Sequence, residues 1–171
     1  QGSMQAVEEI LLDTNLRAEG HEYYALGGLT VSDDHRYVAI AEDTVSRRIH
    51  QLRILDLETG EFLPDLIEGA SSSLAWSTDG AYLFYLKKHP ETLLAYQMMR
   101  HEVGTASADD ALVYEEKDNT LYTSLRRCRS RKYIFLYHHS TETTEIQLLP
   151  ANDSHRRRLF LNDHNQITPA T

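Results

Sequence analysis

Two stretches of this chain are nearly the same sentence. "LTVSDDHRYVAIA", Leu29 to Ala41, is echoed 45 residues later by "LAWSTDGAYLFYL", Leu74 to Leu86, with Leu29 on Leu74, Val31 on Trp76, Ser32 on Ser77, Asp34 on Asp79 and Tyr37 on Tyr82. The polar centre of each copy is turn chemistry: Ser and Asp hydrogen-bond backbone groups two residues on, and Gly80 accepts a positive φ without penalty. Apolar segments flank each turn, as in a hairpin. The segments that follow, "YVAIA" and "YLFYL", do not alternate, which is the pattern of strands covered on both faces. A third copy, "KYIFLYHH" (Lys132 to His139), follows the turn "RCRSR", 51 residues on when counted from Tyr82 to Tyr133.

Further strands fall at matching offsets: "RIHQLRILDLETGE" (Arg48 to Glu61), "LAYQMMRHEVGT" (Leu94 to Thr105) and "TTEIQLLPAND" (Thr143 to Asp153), with Gln97 at nearly the offset of Gln51. "EFLPDLIEG" (Glu61 to Gly69) and "DALVYEEKD" (Asp110 to Asp118) supply fourth strands, and the opening "EEILLDTN" (Glu8 to Asn15) resembles one whose own unit is missing. About four short strands recur every 45 to 51 residues, the signature of a β-propeller blade. The expected fold is all-β: a partial β-propeller of about three four-stranded antiparallel blades, not closed. The expected division is a cloning scar at 1–3, the tail of a preceding blade and a linker at 4–28, blades at 29–69 and 70–120, a partial blade at 121–153, and a tail at 154–171. Such a piece leaves apolar blade faces open, so self-association or a rearranged terminal segment is expected.

Composition narrows the function classes. Apolar residues make up 41 % of the chain, enough for a core, and no run of eighteen apolar residues spans a membrane. No basic and then apolar opening suggests a secretory signal, and Cys128 is the one cysteine, so a reducing, cytoplasmic location is expected. Residues 1–123 hold 22 acids against 9 bases, whereas 124–171 hold 4 against 8. An acidic body repels phosphate backbones, so nucleic acid is not an expected partner. The basic run "RRCRSRK", Arg126 to Lys132, can bind an anion or another chain, but reads first as a solvated turn without the aromatic interleaving of a single-strand binder.

The sequence carries no catalytic pattern. "GASSSLAW", Gly69 to Trp76, lacks the second glycine of a G-x-S-x-G elbow and reads as a loop. There is no H-E-x-x-H and no C-x-x-C. His138 and His139 are adjacent, as are Glu115 and Glu116, so on a strand each pair points to opposite faces and does not share a metal. Glu42 and Asp43 end the strand "YVAIAED" and could ligate a cation from a loop, but read first as a solvated turn. Gly27 and Gly28 stand as a lone pair before a strand, not as a phosphate loop. Tyr37, Tyr82 and Tyr133 recur at one blade position and read as packing residues. No catalytic, cofactor-binding or metal-binding residue is assigned, and no cofactor is expected.

The stretch from "ILLDTNLRAEG" to "LPDLIEG", with "AEDTVSRR", "KKHPETLL" and "VYEEKDNT", resembles the N-terminal propeller of the oligopeptidase B (protease II) branch of the prolyl oligopeptidase family, from about Glu8 to Leu149. Three departures stand out. Ala95 and Met99 occupy positions where that branch shows proline and tryptophan, the third turn is unusually basic, and the tail after Leu149 does not follow the pattern. The resemblance implies a fragment of an intracellular serine peptidase that cuts short peptides after Arg or Lys. Its propeller gates access to a hydrolase domain that carries the Ser, Asp and His and lies outside this chain, so peptide substrates are partners only through that domain. The other readings are a freestanding propeller-like module that binds a protein partner, and a self-sufficient hydrolase with an unrecognised site.

Overall fold

The computed structural model describes residues 10–152, 159–161 and 167–169. Among them one short helix, α1 (Thr14–Ala18), precedes β1 (Ala25–Val31), β2 (Tyr37–Asp43), β3 (His50–Asp56), β4 (Glu61–Trp76), β5 (Tyr82–Lys88), β6 (Ala95–Glu102), β7 (Ala111–Glu115), β8 (Tyr122–Arg127), β9 (Tyr133–His139), β10 (Thr144–Pro150), β11 (Leu159–Leu161) and β12 (Ile167–Pro169). All pairings are antiparallel between sequence neighbours, in two sheets: β1 to β7, and β8 to β12.

The long strand β4 carries the chain from one blade to the next. Its first part, 61–70, pairs with β3, and its last part, 70–76, pairs with β5. Between them Gly69 takes a φ of +73°, a conformation that costs glycine nothing. The ribbon is therefore two four-stranded meanders joined through one strand, and β8 to β11 form a third. The apolar runs have the reason the pattern implied. Leu83 and Tyr85 of β5 pack with Ala39, Ala41, Leu52 and Ile54 of the first meander, while Phe84 and Leu86 pack with Leu125, Ile134 and Leu136 of the third. A strand sandwiched between two blades has no solvent face, so alternation disappears. This is a partial propeller whose sheets do not close into a ring.

Several local readings change. The first blade opens at Ala25, so Gly27 and Gly28 lie inside β1 rather than before a strand. A Cβ on Gly28 would overlap the Ser72 carbonyl oxygen, and one on Gly27 would overlap the His50 ring. Gly28 lets the second blade approach β1, and Gly27 makes room for His50 within the first. Ser71, Ser72 and Ser73, read as a loop, belong to β4, where the pairing with β5 skips between Ala70 and Leu74. The opening segment forms no strand over residues 10–24. Asp13 caps α1 instead, accepting from the Asn15 and Leu16 N–H groups, the usual role of an aspartate before a helical turn. Leu12 then packs on Val38, Ile40 and Leu55, covering part of the outer face of the first blade. At the other end, β11 falls within the stretch expected as a tail and pairs with β10 through Gln147↔Phe160 and Leu148↔Leu159, giving the third meander its fourth strand.

Candidate functional site

The three turns after β1, β4 and β8 share one construction. In the first, the Tyr37 N–H donates to Ser32 Oγ at 2.9 Å, Ser32 Oγ donates to Asp34 Oδ1 at 2.5 Å, and His35 holds a positive φ of 60°. The second repeats this with Tyr82, Ser77, Asp79 and Gly80. The third, the turn "RCRSR", substitutes atoms and keeps the geometry: the Tyr133 N–H donates to Cys128 Sγ at 3.2 Å, Cys128 Sγ contacts Ser130 Oγ at 3.1 Å, and Arg131 has the positive φ. Cysteine stands for serine and serine for aspartate. The Ser32 and Ser77 hydroxyls hold Asp34 and Asp79 below the usual carboxylate range. Burial pushes the Cys128 thiol up, but the Ser130 hydroxyl and the backbone N–H groups of the turn outweigh it and leave the thiol below its ordinary value.

With the motif fixed, two positions in each copy change character. The residue just before the motif is Val31, then Trp76, then Arg127; the residue after its first member is Asp33, then Thr78, then Arg129. These positions converge. Arg127 Nη2 donates to Asp33 Oδ2 at 2.8 Å and to Thr78 Oγ1 at 3.0 Å, joining the first and third turns across the second. Arg131 Nη1 adds a bond to Asp33 Oδ1 at 3.1 Å. Trp76, 1 % exposed, donates its indole N–H to the Thr30 carbonyl at 3.0 Å and stacks on Tyr37. The result is a recess with Leu29, Val31 and Trp76 on one side and Arg127, Arg129 and Arg131 on the other. The basic run is thus not a wholly solvated turn: Arg127 is largely buried and ion-paired, because Asp33 lies opposite it.

Other residues singled out in the sequence have structural partners. Glu42 and Asp43 are buried, not solvated. Arg17 clamps Glu42, with Nη2 to Oε2 at 2.6 Å, and the Tyr24 hydroxyl donates to the same carboxylate. Burial would raise Glu42, yet Arg17 and Tyr24 hold it below its usual range. Asp43 accepts the Val45 and Arg48 N–H groups and so shapes the loop between β2 and β3. His138 is buried and His139 exposed, on opposite faces of β9; His138 Nδ1 lies 3.0 Å from Glu116 Oε2, linking the second and third blades. The sequence reading missed His101 altogether. Its Nε2 lies 3.0 Å from Asp65 Oδ2 and its Nδ1 2.7 Å from Asp110 Oδ1, with the Tyr85 hydroxyl on Asp110 at 2.8 Å. Burial works against the imidazolium, but Asp110 and Asp65 outweigh it and raise its pKa. This clasp ties the outer strand of the first blade to the second, and nothing in "MMRHEVGT" marks it beyond the histidine itself. These groups form ion pairs inside blades and between them, not a nucleophile with a base.

The family model for the N-terminal β-propeller domain of prolyl oligopeptidase matches residues 1–168. The chain belongs to the prolyl oligopeptidase family. The match runs through the tail after Leu149, which the sequence reading had set apart. This propeller segment is 44 % identical over 146 residues to dipeptidyl aminopeptidase BI of Pseudoxanthomonas mexicana, covering 85 % of the chain and 20 % of that protein. It is 32 % identical over 148 residues to protease 2 of Moraxella lacunata, covering 84 % and 21 %. The chain spans about a fifth of the length of these curated relatives. Among solved structures, oligopeptidase B from Leishmania major superposes with a TM-score of 0.81 at 23 % identity, over 94 % of the chain and 22 % of that protein, a likeness of fold.

Proposed function

We propose that this segment is part of the propeller wall of a serine oligopeptidase, admitting short peptides to a hydrolase domain and excluding folded proteins, with cleavage after Arg or Lys. The observation that carries this reading is the match to the family's N-terminal propeller over residues 1–168. A rigid stack of blades bound by cores on both faces of β5 suits a filter, because a size limit requires walls that do not yield. The surplus of acids in residues 1–123 adds electrostatic attraction for basic peptides, an effect that weakens as salt screens it.

The 44 % identity to a dipeptidyl aminopeptidase favours a second reading, removal of dipeptides from a free amino end. One experiment separates the two. The chain joined to the hydrolase domain of its own polypeptide is assayed with a chromogenic Arg arylamide whose amino end is blocked, and with a dipeptide arylamide whose amino end is free. Cleavage of the blocked Arg substrate, suppressed by salt, supports the first reading. Activity confined to the free dipeptide substrate supports the second, and cleavage of neither contradicts the peptidase reading.

A further inference from the structure

The repeats vary where they meet. Three blades keep one turn geometry, even through the exchange of Ser and Asp for Cys and Ser, yet the two positions that face the shared recess carry Val and Asp, Trp and Thr, Arg and Arg. A position needed only for the turn would tolerate the same residue three times. The recess they build is amphipathic. Leu29 and Val31 are 45 % and 39 % exposed there, an apolar surface that β1 presents to solvent. Three arginines and one aspartate also line it, and the Arg127 and Arg131 guanidinium groups bond the Asp33 carboxylate. Asp33 already takes Arg127 and Arg131, so the positive charge in excess sits on Arg129, which has no ion-pair partner among the described residues.

We propose that this recess binds the carboxyl end of a peptide. The α-carboxylate sits on Arg129 beside the Asp33–Arg127–Arg131 cluster, and an apolar last side chain lies against Leu29 and Val31. A guanidinium offers a carboxylate two parallel N–H donors, which a C-terminal amide does not match. The adjoining apolar strip distinguishes a peptide end from a bare anion, which has nothing to place there. The inference rests on the reading of this wall as one that peptides pass.

The test is calorimetric titration of the chain with an acetylated pentapeptide ending in leucine with a free carboxylate, at two salt concentrations. Trp76 emission reports where it binds, since the chain has one tryptophan and it borders the recess. The controls are the same peptide as its C-terminal amide, the same peptide ending in glycine, and inorganic phosphate. The expected result is about tenfold tighter binding of the free carboxylate than of the amide. Arg129→Thr, which copies the residue of the second turn and so keeps the fold, should remove that preference. Equal affinity for acid and amide overturns the proposal, as does phosphate binding as tightly as the peptide or a glycine end binding as tightly as a leucine end. The readout needs no catalysis, so a failed cleavage assay leaves it intact, and a failed titration leaves the cleavage reading intact.

Discussion

His101 sits between two aspartates with no exposure to water, so its charge is held by geometry alone. Its pKa is raised in the fold, and the sign of the linkage follows. The stabilisation is fully present below the unfolded value, about 6.5, and is lost as pH rises through the higher folded value. His50 and His138 shift the other way, chiefly by burial, so their contributions to the pH dependence fall at and below the unfolded value. Denaturant midpoints measured from pH 6 to 9 should therefore fall more steeply for the natural chain than for His101→Gln. That variant should lose about 3–5 kcal/mol near pH 6, because it removes the cation between two buried carboxylates. Identical pH slopes for the two proteins would contradict the clasp. Cys128 makes the opposite case. Since serine fills its place in the other two turns, Cys128→Ser should change stability by less than about 0.5 kcal/mol. A loss above about 1 kcal/mol in the same unfolding titration would show that the third turn is not a copy of the others.

At the level of strands and turns, the legible parts of the sequence were those written locally. Ser32, Asp34 and Tyr37 lie within six residues and announce their turn, and the unbroken run "YLFYL" announces a strand between two sheets. What could not be read was written across the chain. Asp33 meets Arg127 across 94 positions, and neither residue carries a mark of the other. Glu42 and Asp43 look solvated because carboxylates usually are, and Arg17, Tyr24 and the backbone of the β2–β3 loop explain their burial. The glycine pair reads as lying before a strand because its neighbours, Ser72 in the next blade and His50 on β3, are not visible from Gly27 and Gly28. Trp76 packs among residues of both the first and the second blade, and its tie to Thr30 adds a polar anchor. Trp76→Ala should cost about 3–5 kcal/mol in equilibrium unfolding. A loss below about 1 kcal/mol would contradict the packing of the first two blades on one another.

For the molecule as a whole, the opening segment and the outer face of the first blade act together. Leu12 and the Arg17–Glu42 clamp hold the opening segment on the outer face of the first blade, over Val38 and Ile40. Arg17→Ala loosens that cover, and the sedimentation coefficient of the variant should rise with concentration more steeply than that of the natural chain. Superimposable profiles would mean the segment does not shield the face. Two interblade cores and the Asp33–Arg127 tie across three turns hold the blades as one wall, the feature on which the proposed size filter rests. The most direct measurement joins the chain to the hydrolase domain in its own polypeptide and compares cleavage of a ten-residue peptide holding a single arginine with cleavage of the same sequence set in the surface loop of a stably folded protein. The filter reading predicts that the free peptide is cut and the folded protein stays whole; comparable rates on both would contradict it.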